Sequence, residues 1–245
     1  MPHTKTLTPI AGIAQDQWGL VTRRQACSAG VANATMDRLT AADGTVLERL
    51  AHGVYHLIGA PLPDHASLRA AWLQLEPATF AWRRGPDQGV VSHRSAAELY
   101  GLGHLNADRH EFTFPARRQS RRADVRLHHR PLGDRDWGAT RGILVTRPAR
   151  ISADLLAEHE DPEAVGHVIA DSIRAGQEYP ANFAAALSPI AARFGLRRGD
   201  GLALLRWLLD LTGDPDVPLW ISQAEAEAGL AREPARPADG RQAWS

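Results

Sequence analysis

Within the first sixty positions the spacing of apolar residues changes from helical to alternating, and that change predicts the order of the elements. Thr22 offers a side-chain oxygen to an otherwise orphaned backbone N–H, and Gln25 three positions on completes a capping box, so a short helix starts there and stops near Ala29-Gly30. Gly30 supplies a left-handed turn and Val31 packs inward. A second helical segment runs from Ala32 to about Ala42, with Ala32, Thr35 or Met36, and Leu39 toward a core and Asn33, Ala34, Asp37 and Arg38 outward. Beyond the turn signal Asp43-Gly44 the period falls to two. Val46 to Leu50 and Val54 to Leu57 read as paired strands, and Ala51-His52-Gly53 suits a bulged hairpin because glycine reaches positive φ without steric cost. Two short helices followed by a ribbon is the order of a winged helix-turn-helix, whose second helix enters the major groove of DNA.

The pattern continues as a mixed region and then becomes helical. The proline-rich joint Ala60-Pro61-Leu62-Pro63-Asp64 is the expected domain boundary, and Leu68, Ala71, Trp72 and Leu75 share one helix face after it. Short strands are expected at Gly89 to Ser92, Glu111 to Phe114, Val125 to His128 and Gly142 to Thr146, with helices at Ala96 to Tyr100 and Ile151 to His159. Three apolar stripes follow: Val165, Val168, Ile169, Ile173; then Phe183, Leu187, Ile190, Ala191, Phe194; then Leu202, Leu205, Leu208, Leu209. The expected class is therefore α+β. A winged helix-turn-helix occupies residues 1–60, an α/β domain with a helical C-terminal part occupies 61–213, and a loosely ordered tail occupies 214–245, its start anchored by Trp220 and Ile221.

Composition narrows the function classes. A chain of 245 residues with 44% hydrophobic content buries a substantial core. No apolar run reaches the length of a membrane span, and Met1-Pro2-His3-Thr4-Lys5 lacks the charged-then-apolar design of a signal peptide, so the expected compartment is the cytoplasm. Cys27, the sole cysteine, excludes an internal disulfide and fits a small buried residue. The net charge of zero hides a polarised chain: about +1 over residues 1–60, +6 over 61–150 and −7 over 151–245. Lys5 is the only lysine, so the arginine content reflects a GC-rich coding bias as well as any anionic partner.

Catalytic candidates are thin. Ser92 and Ser95 lack the flanking glycines of a nucleophile elbow, and Ser95 reads as the cap of a helix paired with Glu98, beside His93 as a hydrogen-bonding turn residue. Asp134 and Asp136 lack the upstream helix start of a nucleotidyl-transfer site, and His128 and His129 point to opposite faces of a strand, which disfavours their joint ligation of a metal. Phosphate-cradling glycine loops are absent. Arg117, Arg118, Arg121 and Arg122, four guanidinium groups in six positions, suit phosphate contact or form a solvated hairpin loop.

Several blocks together resemble a known family. Gly19-Leu20-Val21-Thr22-Arg23 with Ala29-Gly30-Val31, Leu47 to Tyr55, Val91 to Ala97, and Ile143 to Arg150 resemble, in this order and spacing, the AbiEi antitoxins of abortive-infection and type IV toxin–antitoxin systems, in their actinobacterial form. The resemblance implies an N-terminal winged helix-turn-helix that binds inverted repeats in its own promoter and a C-terminal domain that opposes a nucleotidyltransferase-like toxin directly or through a shared target; half-site logic adds the expectation that two copies pair on DNA. On this reading the chain is not an enzyme and needs no cofactor or metal. Thr22, Arg23, Arg24, Arg49 and His52 would sit on phosphates, Asn33, Thr35 and Arg38 would approach base edges, and Arg117, Arg118, Arg121 and Arg122 would extend the contact. The rival classes are a protein-interaction module with a scaffold winged helix, and a nuclease-related enzyme, which the shortage of lysine and of paired carboxylates disfavours.

Overall fold

The computed structural model describes residues 3–41 and 46–230; the turn signal at Asp43-Gly44 and residues 231–245 of the expected tail lie outside the described residues. The N-terminal unit holds helices α1 (His3–Asp16), α2 (Arg23–Ser28) and α3 (Asn33–Ala41) and strands β1 (Leu20–Thr22), β2 (Leu47–Ala51) and β3 (Val54–Leu57). The three strands form one antiparallel sheet in the order β1-β3-β2. Thr22 caps α2, and both halves of the capping box with Gln25 are made. Gly30 takes φ 89°, which turns the chain into α3. The β2–β3 pairing slips between Arg49 and Ala51 and Gly53 has φ 70°, a bulged hairpin as the spacing predicts.

Ile10, Ile13, Val21, Ala26, Val31, Met36, Leu39, Leu47 and Tyr55 make a small core of their own. Helix α1, which supplies Ile10 and Ile13, and strand β1 have no counterpart in the sequence reading. Ala32, expected toward the core, is exposed, because it precedes the first turn of α3 rather than lying within its apolar stripe.

The remainder is a five-stranded mixed sheet covered by helices. Its strands are β4 (Val90–Val91), β5 (His110–Phe114), β6 (Val125–His129), β7 (Trp137–Thr140) and β8 (Ile143–Thr146), in the order β6-β5-β4-β8-β7. Helix α4 (Ala66–Leu75) bridges the two units, and α5 (His93–Tyr100) follows β4. Helices α6 (Pro148–Ala157), α7 (Pro162–Arg174), α8 (Pro180–Leu187), α9 (Gly201–Thr212) and α10 (Val217–Leu230) form the C-terminal part. The larger core runs from Trp72, Phe112 and Phe114 through Ile143 and Ile151 to Phe183, Leu205 and Leu208, and the three apolar stripes of the sequence supply its C-terminal half. The chain is thus α+β with a helical C-terminal part. Among the described residues no helix is long and apolar enough to cross a membrane.

Three expectations are corrected here. Residues 217–230 form α10 rather than loose tail, and Val217, Trp220, Ile221 and Ala224 bury one face of it at helical spacing; Pro218 is tolerated because it lies in the first turn, where its missing N–H has no intrahelical partner anyway. Strands β5 and β6 pair in parallel, so residues 115–124 are a crossover and not a hairpin loop. Ser92, not Ser95, occupies the N-cap position of α5; Ser95 lies inside the helix, where its Oγ donates to Arg109 O at 3.0 Å and accepts from Glu111 N at 2.9 Å.

The two units are joined by a buried polar seam. Gln17 and Gln25 are fully buried and hydrogen-bond to each other at 2.8 Å and 3.1 Å, while Gln25 Nε2 donates to Thr79 O and Ala81 N donates to Gln17 Oε1, both at 3.0 Å. Trp18 extends the seam: its Nε1 donates to Arg141 O at 2.9 Å, its ring lies 6.1 Å from that of Trp72, and the Arg69 guanidinium stands 4.4 Å from it.

Candidate nucleic-acid interface

The outer face of α3 is open. Asn33, Ala34, Asp37 and Arg38 are exposed while Met36 and Leu39 anchor the helix from below, so amphipathic spacing alone turns the polar face outward. Arg38 donates from Nη2 to Thr35 Oγ1 at 3.1 Å and makes no ion pair among the described residues. Arg23, at the start of α2, is held differently. It donates to Asp37 Oδ1 at 2.6 Å and to Tyr55 Oη at 2.8 Å and 3.0 Å, with a longer bond of 3.4 Å to Asn33 Oδ1. The Asp37 hydrogen bond, then that of Tyr55, raises the pKa of Arg23 further above its ordinary value. Asp37 therefore neutralises a neighbouring cation on the outward face.

Residues expected to act from two distant stretches meet in one groove. Arg23, Arg24, His52 and Gly53 from the N-terminal unit, Phe114 at the end of β5, and Arg118, Ser120 and Arg122 from the β5–β6 crossover line a cavity of about 670 Å³, with Leu75 and Leu127 also in its wall. Arg49 borders it through a 3.1 Å bond between its Nη2 and His52 Nδ1. The crossover is fastened along α4: Arg118 pairs with Glu76 at 2.6 Å and lies over the Phe114 ring at 4.7 Å, and Arg122 reaches both Gln74 and Asp124. Arg117 and Arg121 are exposed and make no ion pair among the described residues.

Thr22 is an expected contact that the structure removes. It is fully buried, its Oγ1 accepts from Gln25 N at 3.0 Å and donates to Pro77 O, and a phosphate cannot reach it. The residue that caps α2 is consumed by that task. Asp136 is held within its own turn, its Oδ2 accepting from Gly133 N at 2.7 Å and Arg150 Nη1 at 2.9 Å.

A second constellation escaped the sequence reading. His93, Glu111 and His128 are buried together, with ring centroids of the two histidines 3.5 Å apart, ring planes within 12°, and His128 Nε2 at 2.6 Å from Glu111 Oε2. Burial, then the charges of His128, Arg126, Arg150 and Arg130, push the His93 pKa down to about 2, so its ring is neutral at ordinary pH. His128 and His129 do point to opposite faces as expected, but the partners of His128 come from α5 and β5. The signal was unreadable in sequence because it depends on the parallel register of β5 and β6.

No protein-family model matches the chain, and no curated protein matches it. Among solved structures the chain is similar to the crystal structure of the RV2827C protein from Mycobacterium tuberculosis, with 17% sequence identity, 89% of this chain and 81% of that chain covered, and a TM-score of 0.49.

Proposed function

We propose that the chain binds double-stranded DNA through its N-terminal unit, used as a winged helix-turn-helix with α3 in the major groove and the β2–β3 hairpin beside it. The observation that carries this reading is the continuity of the outward face of α3 with the arginine-lined groove: Arg23 touches both Asn33 and Asp37 of α3, and with Arg24 and His52 it also lines the groove that Arg118 and Arg122 close. Arg38, Asn33 and Thr35 approach base edges, while Arg24, Arg49, His52, Arg117 and Arg121 meet phosphates. Base contacts are few, so tight binding calls for two half-sites and two copies of the chain on one operator.

The wider role, an antitoxin that represses its own operon and opposes a nucleotidyltransferase-like toxin, rests on the sequence blocks that resemble AbiEi proteins. The cytoplasm is the compartment that role requires. The test is fluorescence anisotropy of the full chain with the DNA upstream of its own reading frame. Binding to that fragment over scrambled DNA, with log affinity falling linearly in log salt by about 0.9 per phosphate contacted, supports the reading. Equal affinity for both DNAs removes sequence recognition, and no binding at low salt removes the reading altogether.

A further inference from the structure

We infer that His93, Glu111 and His128 form a binding site for a divalent transition-metal ion of the zinc class. Their candidate donor atoms all lie within 4.8 Å of one another, and all three residues are buried. They come from the start of α5, from β5 and from β6, so the spacing is set by sheet register and not by a mobile loop. Two imidazoles and one carboxylate are a donor set that zinc and its neighbours take with at least one coordination position left open.

Two further features point the same way. His93 Nδ1 lies 3.0 Å from Ser92 Oγ, and Thr113 Oγ1 donates to the same oxygen at 2.8 Å, so a buried hydroxyl pair holds one nitrogen of that ring by hydrogen bonding. Metal-binding histidines are oriented in this way through the other ring nitrogen. His93 also has φ 52°, a left-handed backbone that costs a non-glycine residue free energy and that persists where surrounding structure imposes it.

The buried Glu111 carboxylate is met by His128 Nε2 at 2.6 Å, a contact that a dication beside the two imidazoles would replace with a stronger compensation. Access is open: His93 and Glu111 line a cavity of about 470 Å³ whose other walls include Asp108, Glu158 and Glu160 with Arg94, Arg109 and Arg126. In-plane lone pairs of parallel rings do not converge, so sharing an ion requires one imidazole to tilt out of the stack, and His93, at the cavity wall, is the one placed to do so.

The site is independent of DNA binding and is tested without it. The full chain, stripped with a chelator and desalted, is titrated with Zn²⁺ against a chromogenic competitor and with Co²⁺ by visible absorption. The expected result is one ion per chain, with His93→Ala and Glu111→Gln each weakening Zn²⁺ binding by about 10-fold or more and His129→Ala, on the opposite face of β6, leaving it unchanged. Circular dichroism checks that each variant folds; should His93→Ala not fold, Ser92→Ala, which removes the hydroxyl that His93 Nδ1 and Thr113 Oγ1 share, is expected to weaken binding by about 10-fold. Absence of stoichiometric uptake, binding indifferent to Glu111→Gln and Ser92→Ala, or an equal loss in His129→Ala overturns the inference.

Discussion

At the scale of single residues, Asp37 holds the balance of charge on α3. Its carboxylate ties up Arg23, and the pair is half in water, with side-chain exposures of 31% for Arg23 and 63% for Asp37, so its contribution to stability is at most about 1 kcal/mol. Its effect on a polyanion is larger, because a negative group facing phosphates also masks a positive one. Asp37→Ala is therefore expected to fold normally, to bind the upstream DNA more tightly and to steepen the log-affinity against log-salt slope by about one phosphate contact. Anisotropy titrations at four salt concentrations read both quantities. Arg38→Ala is expected to act in the opposite direction: its guanidinium is tethered only to neutral partners and is available to a base edge, so loss of about 1–3 kcal/mol of discrimination between operator and scrambled DNA follows. Unchanged discrimination would place Arg38 outside the readers.

Among the elements, the C-terminal helices are held by glycine at their closest approaches. A Cβ on Gly201, the first residue of α9, would stand 1.9 Å from Ala184 O and 2.6 Å from Ser188 N, both backbone atoms that cannot swing aside. A Cβ on Gly166 in α7 would likewise stand 2.3 Å from Leu208 O of α9. Gly201→Ala is expected to cost about 3 kcal/mol through overpacking, seen as a lower urea midpoint with an unchanged slope. The legibility of the elements followed from how local their causes are. Helix α2, the turn at Gly30, α3 and the β2–β3 hairpin are specified by caps, a stripe and a glycine within a few residues of each other, and they were readable. Strand β7 (Trp137–Thr140) was not, since Trp-Gly-Ala-Thr has little β-branched character and depends on β8 as its partner. Helix α10 was hidden by Pro215 and Pro218, whose breaking effect is void at a helix start. The parallel join of β5 to β6 is set by tertiary packing, so neither the groove that gathers Arg118 and Arg122 nor the His93, Glu111 and His128 cluster could be foreseen from spacing.

For the molecule as a whole, the proposed DNA contact either ends with the N-terminal unit or extends to the rest of the chain behind it. The buried Gln17–Gln25 seam and the Trp18 contacts fasten the unit to the α/β part, so the β5–β6 crossover keeps a fixed place beside α2 and the hairpin tip. Residues 1–60 carry a net charge of only about +1, too little for a polyanion, whereas the crossover adds four arginines, of which Arg118 and Arg122 line the groove, and the acidic excess lies in residues 151–245. A duplex lying on α3 would then gain phosphate contacts from the crossover, but not equally from all four side chains. Arg118 and Arg122 are committed to Glu76 and to Asp124 with Gln74, so they shape the loop; Arg117 and Arg121 make no such pairs among the described residues. The double variant Arg117→Ala/Arg121→Ala is accordingly expected to keep its fold and its preference for the upstream DNA while the salt slope shrinks by about 1.8, two phosphate contacts at about 0.9 each. Arg118→Ala is expected instead to loosen the crossover, raising hydrogen exchange in residues 115–124. If the double variant keeps the full salt slope, the crossover stands clear of the duplex and the interface ends at the hairpin.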